Sequence, residues 1–281
     1  MILIADSGST KTDWVLLDLE TEQSTSFNGI GLNPYYTNSS TVNKEALRLF
    51  ESLDNSLISH IYFYGAGCSS KSNKQLIIDG LAIFFNHAMV EVYHDLEGAA
   101  RSLCKNTEGI ACILGTGSNA AHFDGKEIVD SAVSLGYLLG DEGSGNALGK
   151  KLIHGIYLKT APEDLIQDFQ KTFNLSLENL LDQIYHKPNP NRFLASFSKY
   201  INMNKSNPFI LEIIYKTFEE FIQLVILPLN SKRNLAVHFT GSIAWFFQEE
   251  LKFMLNKHGL ILGTISQKPI DDLVEYHKIN A

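Results

Sequence analysis

The sequence is short of basic charge, of cysteine and of long apolar runs, and each shortage removes a class of function. Its 23 lysine and arginine residues are outnumbered by 31 aspartate and glutamate residues, for a formal net charge of -8. That sign is wrong for a chain that lives on nucleic acid or an anionic membrane, where phosphate contacts need a basic face. Neither is expected as a partner. The three cysteines, Cys68, Cys104 and Cys112, are odd in number and form no CxxC pair, which argues against a disulfide framework and against a zinc site. They read as buried free thiols. The most apolar later stretch, 221–229, is too short to span a bilayer and reads as a buried helix. The chain begins directly on a β-favouring run, without the basic segment and apolar stretch of a signal peptide, so a cytoplasmic location is expected.

What the chain does have is an ordinary globular balance, 44% hydrophobic and 19% charged over 281 residues, enough for a core without covalent staples and better suited to two lobes than one. Strand-like runs at 1–5, 61–64 and 89–93 alternate with helical patterns around 44–53, 74–85 and 96–104, as in an α/β lobe. The first run and Trp14 to Leu19 flank a polar turn and predict a hairpin. Near residue 110 the pattern starts again: Ile110 to Leu114 is apolar, 115–119 is a polar turn, and 120–130 reads as a returning strand pair. This weak internal repeat predicts an N-terminal lobe of residues 1–108 and a C-terminal lobe of 109–281. From Asn146 the pattern is mostly helical, with loops at 187–191 and 207–208, before a last strand at 235–239. A final amphipathic helix at about 269–279 is expected to pack back on the N-terminal lobe.

Four places carry chemistry. Asp6-Ser7-Gly8-Ser9-Thr10-Lys11-Thr12 joins a carboxylate at a strand end to a glycine turn, small hydroxyls and a lysine. Backbone N–H groups, hydroxyls and lysine suit phosphate oxygens, and a carboxylate suits hydrated magnesium; an ordinary polar hairpin has the same composition. Gly115-Thr116-Gly117-Ser118-Asn119 is a second glycine turn after a strand. Thr240-Gly241-Ser242 is a third, open to reading as a helix N-cap. Asp95 follows a strand and opens a helix, as either a proton acceptor or an N-cap. Asp141 and Glu142 lie in a glycine-rich loop that suits ligand approach or a solvated acidic turn. His94 and His122 lack metal-ligand spacing and read as structural.

In order and spacing, DSGSTKT, LGTGSN, GDEGS and FTGS resemble the phosphate, substrate and adenosine loops of the ATPase family that includes BadF-type proteins and N-acetylglucosamine kinase, within the actin-like ATPase superfamily. The match covers nearly the whole chain. The resemblance implies two ribonuclease H-like α/β lobes flanking an interlobe cleft, with ATP and Mg²⁺ as cofactors. It implies that Asp6 holds magnesium through water, that Gly8, Ser9, Thr10 and Lys11 cradle the β- and γ-phosphates, and that Gly115, Thr116 and Gly117 close on phosphate. Gly241 and Ser242 would line the adenosine pocket. Asp95 would be the base that accepts the proton of the 6-hydroxyl of an amino sugar, N-acetylglucosamine first among them. Asn33, Ser118, Asn119 and Asp141 would contact that sugar, although Asn33 before Pro34 also reads as a plain turn. A homodimer is compatible with the resemblance. Ser7 stands where many relatives carry glycine. A BadF-type activator would need cluster-binding cysteines in a different context, and a non-catalytic nucleotide and sugar sensor would not need Asp95.

Overall fold

The computed structural model describes residues 1–8, 10–231 and 233–280; Ser9, one of the residues expected to cradle phosphate, lies outside the described residues. The chain divides into two compact units, one of Met1–Thr107, Gly125–Ile128 and Lys268–Ala281, the other of Glu108–Asp124 and Val129–Gln267.

The first unit is built on a five-stranded sheet of β1 (Ile2–Ser7), β2 (Lys11–Leu17), β3 (Ser24–Ile30), β4 (His60–Gly65) and β5 (Met89–His94). Their order is β3-β2-β1-β4-β5. β2 runs antiparallel to β1 and β3, while β4 runs parallel to both β1 and β5. β1 is central and apolar on both faces, as a strand covered from two sides must be. The two-residue period sorts its side chains. Leu3 and Ala5 join Trp14, Phe50 and Phe63 in one core, whereas Ile2 and Ile4 join Val15, Leu17 and Tyr64 in another. Helices Ser39–Phe50 and Lys71–Phe84 supply Val42, Ala46, Ile77 and Leu81 to the first core. Helix Pro269–Asn280 covers the second with Ile270, Leu273 and Val274.

A polar clamp holds that last helix. The Tyr64 hydroxyl lies 2.9 Å from His277 Nε2 and accepts a 2.9 Å hydrogen bond from Arg101, whose other terminal nitrogen donates to Glu97. Burial first, and then the Arg101 charge, pulls the His277 imidazole down to about 4, so it is neutral at physiological pH.

The second unit repeats the plan. β6 (Gly109–Leu114), β7 (Ser118–Phe123), β8 (Ile128–Ser131), β9 (Ala236–Thr240) and β10 (Ile261–Ser266) lie in the order β10-β9-β6-β7-β8. This is the first unit's order counted from the other edge. β7 is antiparallel to β6, while β9 is parallel to β6 and β10. The helices between β8 and β9 bury Phe169, Phe197, Phe218 and Phe221 together with Phe239 and Phe247.

Two strands escape a reading of the sequence. β3 is an exposed, largely polar edge of its sheet and β10 an edge of the other, and neither shows the buried apolar run that marks β1 or β6. The opening hairpin is tighter than its turn-rich composition predicts, because pairing extends through Asp6 with Asp13 and Ser7 with Thr12. Residues 221–229 are helical, with a π-turn at Ile222–Ile226, but the stretch expected to be a buried helix buries one face only: Phe221, Ile222, Ile226 and Leu229 are buried, while Leu224 and Leu227 are exposed. No helix among the described residues is long and apolar enough to cross a membrane.

Candidate active site

In the first unit the chemistry gathers at the carboxyl ends of β1 and β5. Asp6 is the penultimate residue of β1, and Asp95 opens helix Asp95–Cys104 directly after β5. Burial first, then the negative charges of Asp95 and Asp13, pushes the Asp6 carboxyl from 3.8 up to about 7, against the pull of Lys11. Lys11 itself is exposed and pairs with Asp13 at 2.6 Å. An exposed pair of this kind is worth little, so its ammonium can exchange one anion for another. The Gly8 amide donates to the Lys11 carbonyl at 3.0 Å and is therefore spent on closing the turn.

The N-cap of the Asp95 helix is His94, not Asp95. Its Nδ1 lies 2.9 Å from Asp95 Oδ1, to which it donates when it carries a hydrogen, and 3.3 Å from the Leu96 amide, from which it accepts only when it carries none. Burial pulls the imidazole pKa down, but the hydrogen bond and charge of Asp95 outweigh it and the net shift is upward. His94 is thus in contact with the candidate base as well as at the cap of its helix. Lys74, half-buried on helix Lys71–Phe84, acts electrostatically on His94 and on Cys68, and Cys68 also feels Asp95. All three cysteines are buried free thiols, and burial pushes Cys68 and Cys104 up to about 12.

Asn33 belongs to the same unit. It is 7% exposed and begins a turn in which its carbonyl accepts from the Tyr36 amide at 2.9 Å and its Oδ1 from the Tyr35 amide at 3.0 Å. A Cβ on Gly67 would collide with that Oδ1, so the loop after β4 is pressed directly against Asn33.

In the second unit, Gly115, Thr116 and Ser242 line a cavity of about 560 Å³ with Arg192, Lys199, Asn202 and Phe246, a volume suited to a nucleotide. The last four escape sequence reasoning, because they lie on helical segments whose spacing shows only amphipathy. Helix Gly145–Tyr157 buttresses the turn: its Gly145 and Asn146 amides donate to the Gly115 and Thr116 carbonyls at 2.8 and 3.1 Å. Two N–H groups that a helix start leaves without partners are used to fix the loop. Asp141, at φ 63°, turns its carboxylate onto Gly117 and Ser118. The Ser118 amide approaches Oδ1 at 3.4 Å, and a Cβ on Gly117 would sit 2.8 Å from Oδ2. Burial raises the Asp141 pKa. Asn119 directs Oδ1 at the Ala120 amide, 2.9 Å away.

Gly241 is required by geometry. At φ 104° and ψ 159° it occupies backbone space essentially restricted to glycine, and a Cβ would collide with the Leu114 carbonyl. Gly241→Ala is expected to cost about 3 kcal/mol or more in urea unfolding and to weaken ATP binding measured by calorimetry. Unchanged stability would show that the close approach to Leu114 is dispensable.

Asp6, Gly8, Thr10, Lys11, Asn33 and Asp95 therefore share one unit, and Gly115, Thr116, Gly117, Ser118, Asn119, Asp141, Gly241 and Ser242 share the other. Among the described residues no three His, Cys, Asp or Glu side chains converge to hold a metal ion. The like-charged surroundings of Asp6 nevertheless suit a cation that keeps most of its water and takes one carboxylate, the habit of Mg²⁺.

The structure of a candidate N-acetylglucosamine kinase from Porphyromonas gingivalis is similar over 100% of this chain and 99% of its own, with 39% identity and a TM-score of 0.93. A candidate N-acetylglucosamine kinase from Chromobacterium violaceum matches over 98% of both chains at 15% identity and a TM-score of 0.71. A ROK family glucokinase from Streptomyces griseus, solved with glucose and AMPPNP, matches over 99% of this chain and 98% of its own at 12% identity and a TM-score of 0.61. The last two share the fold. No family model and no curated protein matches the chain.

Proposed function

The chain belongs to the sugar-kinase family of the 39% identical Porphyromonas gingivalis protein, within the actin-like ATPase superfamily, and on that premise we propose that it transfers the γ-phosphoryl group of ATP to the 6-hydroxyl of an amino sugar, N-acetylglucosamine first among them. The observation that carries this reading is Asp95, a half-buried carboxylate at the start of a helix, held by His94 and electrostatically coupled to Asp6.

In this reading each group has a task that suits its surroundings. Asp95 accepts the hydroxyl proton as the sugar oxygen attacks phosphorus, and His94 orients the carboxylate. Lys11 leaves Asp13 for a phosphate oxygen, joined by Ser9 and Thr10 of the hairpin, where Gly8, its amide used to close the turn, leaves room for the phosphates without donating to them, and by Gly115, Thr116 and Gly117 of the second turn. The cavity beside Ser242 takes the adenosine, with Gly241 allowing the chain to pass close to Leu114. Asn33, Ser118, Asn119 and Asp141 contact the sugar. Asp6 would hold Mg²⁺ through water, and the ion would supply charge neutralisation for the phosphate oxygens. Phosphoryl transfer relies on positioning and charge stabilisation far more than on covalent participation by the protein, and these are the contributions that the residues can make.

A coupled assay of ADP release against N-acetylglucosamine, glucosamine, N-acetylmuramate, N-acetylmannosamine and glucose tests the proposal. ADP release is expected to require sugar, with the highest kcat/KM for N-acetylglucosamine and phosphate found on the 6-oxygen by NMR. Equal ADP release with and without every sugar would count against it.

A further inference from the structure

Ser7 and Thr12 face each other across the β1–β2 hairpin, 1% and 0% exposed. Their hydroxyls are 2.8 Å apart. The Thr12 hydroxyl donates to the Ile30 carbonyl at 2.7 Å, and the Ser7 oxygen accepts from the Leu32 amide at 3.1 Å. Each hydroxyl has one hydrogen, and this count gives the pair a direction. Thr12 has given its hydrogen to Ile30, so Ser7 gives its own to Thr12. A second acceptor for Ser7, the Gly8 carbonyl, lies farther away at 3.4 Å. The result is a buried relay from Leu32 N–H through Ser7 and Thr12 to the Ile30 carbonyl.

The relay joins two segments with different tasks. On one side is the hairpin whose tip carries Gly8 to Lys11. On the other is the end of β3, an edge strand that stops at Ile30, followed by Leu32, 1% exposed, and Asn33. Ser7 reaches a third segment through its carbonyl, which accepts from the Ala66 amide at 2.8 Å, one residue before the Gly67 that presses on Asn33. We infer that Ser7 and Thr12 are positioning residues that set the Asn33 loop against the phosphate-holding hairpin through their two buried hydroxyls, so that acceptor binding depends on side chains that touch no substrate. The inference rests on the reading of Asn33 as an acceptor contact. Its energetic basis is that a buried hydroxyl deprived of its partner carries its full desolvation penalty, which the segment relieves by shifting. A misplacement of about 1 Å in a reacting group is enough to cost about 10²-fold in rate.

The test compares Thr12→Val, which keeps the shape and removes the hydroxyl, with Thr12→Ser, which keeps the hydroxyl, and with Ser7→Ala. Thr12→Val and Ser7→Ala are expected to raise the sugar KM by about tenfold while the ATP KM stays near that of the parent protein, and Thr12→Ser is expected to restore the sugar KM. Hydrogen exchange of the peptide covering 29–36, followed by mass spectrometry without substrates, is expected to accelerate in Thr12→Val and Ser7→Ala and to remain slow in Thr12→Ser. Sugar and ATP KM values that rise together in proportion to lost thermal stability, in Thr12→Ser as well, would overturn the inference. Unchanged exchange in 29–36 would also overturn it, even if the parent protein turns over no sugar, which is the result that would sink the proposed function instead.

Discussion

Replacing Asp95 by asparagine is expected to lower kcat by about 10²–10⁴-fold, the range over which a positioned base contributes. The amide preserves shape and can still accept from His94, so the helix start should survive and the melting temperature should change little. ATP binding, measured by calorimetry, should persist. This separates an enzyme from a nucleotide-binding sensor, because a sensor has no proton to remove and would keep all of its measurable behaviour. Retention of kcat to within about tenfold would deny Asp95 the role of base.

The second large effect belongs to Asp6. Asp6→Asn is expected to reduce kcat/KM by about 10²-fold or more through loss of the magnesium-facing carboxylate, yet to stabilise the ligand-free protein. The sign follows from the upward shift of this carboxyl from 3.8 to about 7. A carboxyl whose folded pKa exceeds its unfolded one favours folding while it is protonated. That contribution is complete below the unfolded value and is lost as pH rises through the folded one. Relative to the variant, the parent protein should therefore lose stability between about pH 4 and pH 7. Scanning calorimetry should find Asp6→Asn melting a few degrees higher at about pH 8 and the difference shrinking at about pH 5. Adding Mg²⁺ and ATP should raise the parent's melting temperature far more than the variant's, because only ligands that bind the folded state well stabilise it. A variant less stable at both pH values would mean that the Asp6 charge is well solvated.

The positions of Asp6 and Asp95 were legible in the sequence because both residues end or follow apolar strands, and β1, β4, β5, β6 and β9 announce themselves by composition; the roles proposed for the two carboxylates rest on the family resemblance. Glycine turns after β6 and β9 were visible for the same reason: small residues directly after an apolar run mark a place where the backbone reverses or meets another group closely. Two of the edge strands, β3 and β10, gave no such signal. β3 reads STSFNGI and β10 reads ILGTIS, and an edge has less apolar surface to bury. Long-range contacts were also hidden. Nothing near Asp141 in the chain says that its carboxylate will lie on Gly117, and nothing near Arg192 or Lys199 says that a helix will turn them to the cavity beside Ser242. Ser7 looked like a departure from glycine in a flexible turn. Its buried hydroxyl is instead part of the bonding between segments, because strand pairing reaches two residues farther, through Asp6 and Ser7, than the polar composition suggested.

The position of helix Pro269–Asn280 has a consequence for how the protein is made. A ribosome delivers the chain from its first residue to its last, so β1 to β5 emerge long before the helix that covers Ile2, Ile4, Val15 and Leu17. Until residues 270–277 arrive, that face of the nascent sheet has neither Leu273 and Val274 against it nor His277 to meet Tyr64. The first unit to be synthesised is thus the last that can be completed. A chain cut short before residue 269 would release an intact set of strands with part of an apolar face uncovered, since helix Asp95–Cys104 alone would lie on it, a species suited to capture by chaperones and to aggregation.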